Sequence, residues 1–326
     1  NARLIGLTHK LIGRAEGILL EIGINAPLMV VRGDGALISA AMAKERPIET
    51  ILSGPAASIV GARWLTGLDY ALVSDIGGTT TDIALLRDGR PKIDTAGAQV
   101  GPYRTMVEAV AMRTSGLGGD SEVHFVSEGL SGGVTLGPKR VLPLSLMAHE
   151  APDVVLPALA KQMRASMLGE FDGMFVRALG GVDAGGLNDR DIDFLGRIGH
   201  RTQSLEEVLK TRMEALSLRR LVERGLVQVG GLTPSDASHA LGGLDLWNHE
   251  AAIMGLKLFG RRRTGSGDQL AVDPLAMAKI IVDRLTYQTG QALLSTAFAE
   301  EEAAYNGIPT ELAQNELPQL IAENRR

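Results

Sequence analysis

A short segment combines carboxylates, glycines and threonines at a spacing that suits phosphate binding: Asp75-Ile76-Gly77-Gly78-Thr79-Thr80-Thr81-Asp82. A turn at Gly77 and Gly78 carries no Cβ atoms, so its backbone amides can approach phosphate oxygens closely. The hydroxyls of Thr79 and Thr81 could donate to the same oxygens. The segment therefore predicts a phosphate-binding hairpin. An ordinary β-hairpin with a Gly-Gly turn also fits the pattern, because short motifs often occur by chance.

The two aspartates of this segment are candidates for catalysis. A carboxylate does not hold phosphate directly, but it can hold Mg²⁺ or the water molecules around Mg²⁺. Asp75 ends the first strand of the hairpin and is the candidate metal residue, directly or through water. Asp82 could do the same or orient an attacking water.

A second glycine-rich segment, Gly116-Leu117-Gly118-Gly119-Asp120-Ser121, could line the same cleft. Backbone amides of Gly118 and Gly119, the Asp120 carboxylate and the Ser121 hydroxyl are its candidate binding groups. A flexible loop without a ligand explains the same composition, and the sequence leaves both interpretations open.

Other kinds of chemistry find little support. The chain has no cysteine, which excludes disulfides, thiolate metal sites and a cysteine nucleophile. No H-E-x-x-H motif is present, and Ser53, before Gly-Pro, is predicted to cap a helix rather than to act as a nucleophile. His124 could reach a site or point to solvent. His239 and His249 are predicted on a helix surface or in packing.

The bulk properties indicate a globular chain of 326 residues, enough for two domains or for one domain with a large insertion. A net charge of −5 disfavours nucleic acid as a partner. No apolar run approaches the ~20 residues that span a bilayer, so no membrane partner is expected. The absence of cysteine fits a cytoplasmic location. Asn1 in place of an initiator Met predicts an internal fragment.

The elements that must position these residues follow from hydrophobic periodicity and turn signals. The first 150 residues predict a strand-rich mixture, with helices at 3–23 and from Ser53 and strands at 27–32, 36–39, 69–74, 80–89, 104–112, 122–126 and 133–142. Residues 151–270 predict a helical insertion, with helices at 153–167, 189–196, 204–224, 234–241 and 246–259. Residues 271–326 predict a long core helix, 273–302, and a tail. The fold class is therefore mixed α/β.

Over most of residues 1–300 the chain resembles the A-subunit family of ATP-dependent hydantoinases and 5-oxoprolinases. The segments that carry the resemblance, in order, are PLMVVRGDGALIS, ERPIETILSGPAASIVGA, SDIGGTTTDIALLRDGRP, GLGGDS, LGPKRVLPLS and GLTPSDASHALG. This chain has GGDS where typical hydantoinase subunits have GGGS, and this departure leaves the substrate open.

The resemblance implies the actin-like ATPase superfold, in which two ribonuclease-H-like domains clamp ATP and each contributes a glycine-bearing hairpin. Residues 75–82 would be the second hairpin. The first, of the form D-x-G-G-T-F-T-D, would precede Asn1, and the adenosine site would follow Arg326. The chain would then be half of the clamp and would bind nucleotide weakly and be inactive alone.

The resemblance also implies an activity, namely ATP- and Mg²⁺-dependent opening of a cyclic amide through phosphorylation of the amide oxygen. Gly77, Gly78, Thr79 and Thr81 would position the phosphates, and Asp120 and Ser121 would be secondary site residues. A hydantoinase B-type subunit or a fused B region would be the partner. The substrate stays open between hydantoin, 5-oxoproline, another lactam and a ketone.

Three alternatives remain at the level of sequence. Relatives within the family carboxylate ketones through phosphorylated intermediates. A sugar-kinase-like protein accounts for the hairpin alone, without GLGGDS or SGPAA. A non-enzymatic regulator with a kinase-like fold would need DNA-binding helices with positive charge.

Overall fold

The computed structural model describes residues 2–100, 103–127, 132–181 and 184–301 and has a mixed α/β fold with several small sheets. The helices are α1 (Ala2–Glu21), α2 (Ala40–Glu45), α3 (Ser53–Thr66), α4 (Leu144–Glu150), α5 (Pro152–Arg164), α6 (Asp189–Ile198), α7 (Leu205–Val208), α8 (Arg212–Glu223), α9 (Pro234–Ala240), α10 (His249–Gly260) and α11 (Pro274–Glu301), with a 3₁₀ turn at Pro47–Thr50. None of the helices within these ranges is long and apolar enough to cross a membrane.

The strands are short. They are β1 (Met29–Val31), β2 (Leu37–Ser39), β3 (Ala71–Ile76), β4 (Thr81–Arg87), β5 (Arg90–Pro91), β6 (Ile93–Asp94), β7 (Gln99–Val100), β8 (Tyr103–Arg104), β9 (Ala109–Val110), β10 (Met112–Ser115), β11 (Ser121–Val126), β12 (Gly133–Arg140), β13 (Leu142–Pro143), β14 (Phe175–Ala178), β15 (Gln203–Ser204) and β16 (Val227–Gly231). The predicted strand at 104–112 is wrong as one element, because β8, β9 and β10 each pair with a different strand.

The predicted hairpin is confirmed as β3 and β4, which pair antiparallel and place Asp75 directly opposite Asp82. β10 pairs with the other side of β4, so β4 is the central strand of this sheet. Four successive β4 residues, 83–86, are buried, because α3 and α11 both contact this strand. A strand that is covered on both faces reads as a continuous apolar run, and IALL has that composition.

Helix α3 begins differently from the prediction. Ser53 is the first residue of the helix, and the N-cap is Leu52, which adopts a left-handed conformation with φ of 60° and makes no side-chain capping bond. Pro55, in the first turn, suits a helix start because its missing N–H would have no partner there in any case. The start of α3 was therefore predicted correctly, and the capping role of Ser53 was wrong.

A second sheet, in the order β13-β16-β14-β15, lies partly within the predicted helical insertion. β13 and β16 are parallel, and the other pairs are antiparallel. Residues 151–270 thus contain three strands besides their helices, and the predicted helix 204–224 is divided into α7 and α8. The three predicted units stay a prediction, and residues 302–326 of the third lie outside the described ranges.

The largest apolar core joins this second sheet to the helices around it. Its fully buried side chains include Leu144 and Met147 of α4, Phe175 of β14 and Leu256 of α10. Ile281 places α11 in the same core. The β11–β12 hairpin also packs here through Val123 and Leu136, so the strand that follows Asp120 is anchored to the core.

One buried carboxylate connects two elements of this core. Asp236, in the first turn of α9, is fully buried and accepts five hydrogen bonds of 2.6 to 3.1 Å from the amides of Leu144, Ser145 and Thr233 and the hydroxyls of Ser145 and Thr233. Thr233 in turn caps α9 by accepting from the Asp236 amide. The carboxylate therefore fixes the start of α4 against the start of α9.

Replacing this carboxylate is expected to destabilise the protein strongly. Asp236→Ala leaves buried donors of Leu144, Ser145 and Thr233 without acceptors, and we expect the free energy of unfolding to fall by about 3 kcal/mol or more. Chemical denaturation of the full-length protein measures the change. Asp245→Ala, at an exposed aspartate just beyond α9, is the matched control and should change stability by less than about 0.5 kcal/mol. Equal effects of the two substitutions would contradict this role of Asp236.

Candidate phosphate-binding site

The tip of the β3–β4 hairpin exposes backbone donors. Ile76 and Thr81 form the last cross-strand pair, and the Gly77 amide donates to the Thr80 carbonyl at 2.9 Å to close the turn. Gly77, Gly78 and Thr79 are exposed. Within the part of the chain that the structure describes, the amides of Gly78, Thr79 and Thr80 donate to no backbone or side-chain acceptor. Three successive amides are thus available to an anion, as phosphate-binding turns require.

The two threonines singled out by the sequence lie in different environments. Thr79 is exposed at the tip. Thr81 is fully buried, and its hydroxyl donates to the Leu117 carbonyl at 2.8 Å. The structure therefore places the Thr79 hydroxyl where a phosphate could meet it and uses the Thr81 hydroxyl to tie the hairpin to the glycine-rich loop.

Asp75 and Asp82 lie on one face of the hairpin, because directly opposed residues of antiparallel strands project to the same side. Thr114 of β10 is the next residue in this row, and its hydroxyl donates to Asp82 Oδ1 at 2.5 Å. Thr80 donates to Asp82 Oδ2 at 3.3 Å. Two hydroxyls therefore orient the Asp82 carboxylate. The half-buried Asp75 accepts no side-chain hydrogen bond from the described residues.

The backbone of the glycine-rich loop contacts the carbonyl side of the β3–β4 turn. The Gly119 amide donates to the Gly77 carbonyl at 3.1 Å, and the Asp120 amide donates to the Gly78 carbonyl at 2.6 Å. The Gly118 amide donates to Ser121 Oγ at 2.9 Å. These amides are thus already bonded, which differs from the expectation that they face a ligand.

Close approach of the two segments requires Gly118. A Cβ at this position would lie 2.5 Å from the Gly77 carbonyl oxygen and 2.7 Å from the Gly78 carbonyl carbon, too close for any side chain. The neighbouring Gly78 is also restricted, because a Cβ there would lie 3.0 Å from Asp120 Oδ2. Glycine at 118 thus serves packing between loop and hairpin.

The Asp120 carboxylate lies beside the hairpin turn, next to a cation and a hydroxyl. Its Oδ2 is 3.4 Å from Arg140 Nε, and its Oδ1 is 3.5 Å from Ser235 Oγ. Burial raises the pKa of Asp120, and the charge of Arg140 opposes that shift. Sequence analysis did not single out Arg140 as a site residue. Arg140 lies opposite Ser121 in the β11–β12 pair, so a correct pairing of the two predicted strands would have placed it beside the glycine-rich loop.

Ser235 is a second site residue that sequence analysis treated only as a helix start. Its amide and its hydroxyl both donate to the Gly119 carbonyl, at 2.8 and 2.9 Å. Asp236 follows directly, so the buried carboxylate that fixes α9 also fixes the support of the loop. A capping sequence alone does not reveal this role, because the contact joins residues more than a hundred positions apart.

The histidines considered at the sequence level lie elsewhere. His124 Nε2 is 3.6 Å from Glu122 Oε2, and both line a cavity to which no residue of the β3–β4 hairpin contributes. His239 is buried against Trp247, and burial lowers its pKa. Within the described ranges, no group of three or more His, Asp or Glu side chains converges on a metal position. Mg²⁺ bound with ATP needs only one or two carboxylates, since phosphates and water complete its coordination.

The segment that contains the hairpin and the glycine-rich loop is similar to known proteins. The hydantoinase/oxoprolinase family model aligns with residues 1–148, which contain both the hairpin and the glycine-rich loop. This segment is similar to the hydantoinase/oxoprolinase family. The alpha subunit of caprolactamase from Pseudomonas jessenii is 29% identical over 142 residues, which cover 43% of this chain and 20% of that subunit. The chain thus spans about a fifth of the length of this relative.

A solved structure extends the similarity beyond the family segment. It is the nucleotide-free structure of acetone carboxylase, from a study of ATP-dependent acetone carboxylation, and it aligns with 90% of this chain and 31% of its own with a TM-score of 0.50. The sequence identity is 17%, so this likeness concerns the fold alone.

The close contact at Gly118 gives a test of the loop's role. Gly118→Ala should force the loop away from the hairpin and lower the free energy of unfolding by about 1–3 kcal/mol, as overpacking does. Gly133→Ala is the matched control, because a Cβ there meets no atom within 4 Å. Thermal and chemical unfolding of the full-length variants measure both effects. Unchanged stability of Gly118→Ala would show that the two segments separate readily.

Proposed function

We propose that this chain supplies one phosphate-binding hairpin of an actin-like ATPase and belongs to an enzyme that uses ATP to open a cyclic amide. The observation that carries the proposal is the exposed turn at Gly77–Thr80, with three available amides beside the carboxylate row of Asp75 and Asp82. The family match over this segment supports the same assignment. A ribonuclease-H-like core with residues 151–270 as an insertion is part of the proposal.

Phosphate oxygens would be held at the tip of the hairpin. The amides of Gly78, Thr79 and Thr80 donate to them, and the Thr79 hydroxyl adds a fourth donor. Gly77 and Gly78 allow the approach because neither presents a side chain. Thr81 contributes indirectly, since its hydroxyl holds the hairpin on Leu117.

The carboxylate row suits Mg²⁺ and water. Asp75, whose carboxylate has no described partner, would hold Mg²⁺ directly or through water, and bound Mg²⁺ would neutralise charge on the phosphates. Asp82, oriented by Thr114 and Thr80, would bind a water of the Mg²⁺ shell or the attacking water. Both carboxylates lie to one side of the turn, so they can serve phosphates without occupying the anion position.

The chemistry follows from what ATP can supply. Transfer of the γ-phosphoryl group to the oxygen of a cyclic amide releases ADP and makes the amide carbon electrophilic. Water then adds to that carbon, and the carbon–nitrogen bond of the ring breaks as the nitrogen takes up a proton, which leaves an acyl phosphate. A second water hydrolyses the acyl phosphate to a carboxylate and inorganic phosphate. Residues of this chain position the phosphates and Mg²⁺ for the first step.

The glycine-rich loop has a supporting role in this scheme. Its amides at Gly119 and Asp120 hold the carbonyls of Gly77 and Gly78, and Ser121 caps the Gly118 amide. The Asp120 carboxylate lies beside Gly78, since a Cβ at that glycine would be 3.0 Å from Asp120 Oδ2. Asp120 and Ser121 are therefore secondary site residues.

A lactam is the substrate class that we favour. The caprolactamase relative is named for a cyclic amide, and its description as subunit alpha supports a partner subunit for this chain, of B type or as a fused B region. Ketone carboxylation is the second candidate, because the acetone carboxylase structure aligns with most of this chain. A sugar kinase or a non-enzymatic regulator would leave the family match unexplained.

The role of Asp75 is tested in the full-length enzyme with its partner subunit. Asp75→Asn should reduce substrate-stimulated ATP hydrolysis by about 100-fold or more, because it removes the charge that would hold Mg²⁺. Asp88→Asn is the matched control at the opposite end of β4, where asparagine tolerates the observed φ of 54°. Phosphate release is the measurement. Undiminished turnover in Asp75→Asn would remove the assigned role.

The substrate class is tested separately. Hydantoin, 5-oxoproline, caprolactam and acetone with bicarbonate are each added to the full-length complex with Mg-ATP, and ADP is measured. We expect a cyclic amide to stimulate hydrolysis and acetone with bicarbonate to have no effect. Stimulation by acetone that depends on bicarbonate would instead support the ketone carboxylase alternative.

A further inference from the structure

A cavity of about 370 Å³ lies apart from the hairpin, between β11, α10 and the segment that precedes β14. Its volume falls within the range of about 300–1,000 Å³ that small-molecule sites occupy. Part of its wall is apolar, with Leu144, Leu232 and Leu258 among the lining residues. The polar part of its wall consists of Glu122, His124, Glu170, Asp172 and Arg262.

Arg262 is the cation of this cavity, and the charges of Asp172 and Glu170 act on it from a distance without forming a direct ion pair. Its Nε atom is buried without a hydrogen-bond acceptor, and none of the described carboxylates lies within 4 Å of its guanidinium. The guanidinium lies over the ring of Phe259 at 4.9 Å from its centroid, which holds it in place. Burial lowers the pKa of Arg262, and the charges of Asp172 and Glu170 offset this only in part. A bound carboxylate in direct contact with the guanidinium, where Nε has no acceptor, would therefore improve its environment.

The carboxylates of the cavity suit a positively charged group of a ligand. Asp172 is held by the Gly169 amide at 2.8 Å, whereas Glu170 has no hydrogen-bond partner among the described residues. Glu122 lies 3.6 Å from His124. With neutral histidine, the three carboxylates and one guanidinium of the wall leave a formal charge of −2. That balance favours a ligand with a cationic group.

We infer that this cavity binds a small zwitterion, an amino acid whose carboxylate pairs with Arg262 and whose ammonium group pairs with Glu170 and its neighbouring carboxylates. A simple anion would meet the negative balance of the wall, and a simple amine would leave the Nε atom of Arg262 without an acceptor. A molecule that carries both charges satisfies both sides, and its methylene groups meet the apolar wall. No residue of the β3–β4 hairpin lines this cavity, so its ligand is separate from the phosphate site of the proposed function.

Binding to the full-length protein tests the inference by titration calorimetry. Glycine, 4-aminobutanoate and 6-aminohexanoate present the two charges at increasing separation. Hexanoate and hexylamine are the single-charge controls. We expect at least one amino acid to bind, and to bind about tenfold or more tightly than either single-charge compound, since one lost ion pair is worth about that factor.

Matched variants assign the binding to this cavity. Arg262→Gln and Glu170→Gln should each weaken amino-acid binding by about tenfold or more. Arg263→Gln, at the next position and outside the cavity wall, should leave it unchanged. Circular dichroism and thermal unfolding show whether each variant is folded.

Several outcomes would overturn the inference. The first is that none of the three amino acids saturates the protein at concentrations up to about 10 mM, since a specific site should bind more tightly than that. The second is that hexylamine or hexanoate binds as tightly as the amino acids. The third is that a folded Arg262→Gln variant binds the amino acids as tightly as the unaltered protein. If that variant does not fold, the comparison of the amino acids with the single-charge compounds on the unaltered protein decides the matter.

Discussion

Two backbone hydrogen bonds, from the amides of Gly119 and Asp120 to the carbonyls of Gly77 and Gly78, hold the glycine-rich loop against the hairpin. This contact uses the carbonyls of Gly77 and Gly78 and leaves the amides of Gly78, Thr79 and Thr80 available. It also excludes any side chain at Gly118. The orientation of the turn and the glycine at position 118 of the loop thus both depend on one backbone contact.

The same contact is anchored in the core of the molecule. Ser235 holds the Gly119 carbonyl with two donors, and Asp236 fixes the helix that carries Ser235 against the start of α4. Support therefore runs from a fully buried carboxylate, through a helix start and a glycine loop, to an exposed turn. A rigid second layer of this kind is what keeps a binding group in position when a charged ligand arrives.

Sequence reasoning found the parts of this arrangement that local signals determine. Gly-Gly between two apolar strands predicted the hairpin, and proline at a helix start predicted α3 and α9. It did not find that Thr81 donates to Leu117 or that Ser235 holds Gly119, because these bonds join residues 36 and 116 positions apart. The short strands β14 and β16 were placed within a helical region for the same reason, since their pairing is long-range.

The central claim, that the turn at Gly77–Thr80 binds the phosphates of ATP, is tested most directly by hydrogen exchange in the full-length protein. Peptides that contain this turn are compared with and without Mg²⁺ and a non-hydrolysable ATP analogue. If the claim holds, exchange at the amides of Gly78, Thr79 and Thr80 slows when nucleotide is bound, because phosphate oxygens accept their hydrogen bonds. Unchanged exchange at these amides, in a protein shown to have bound the nucleotide, would contradict it.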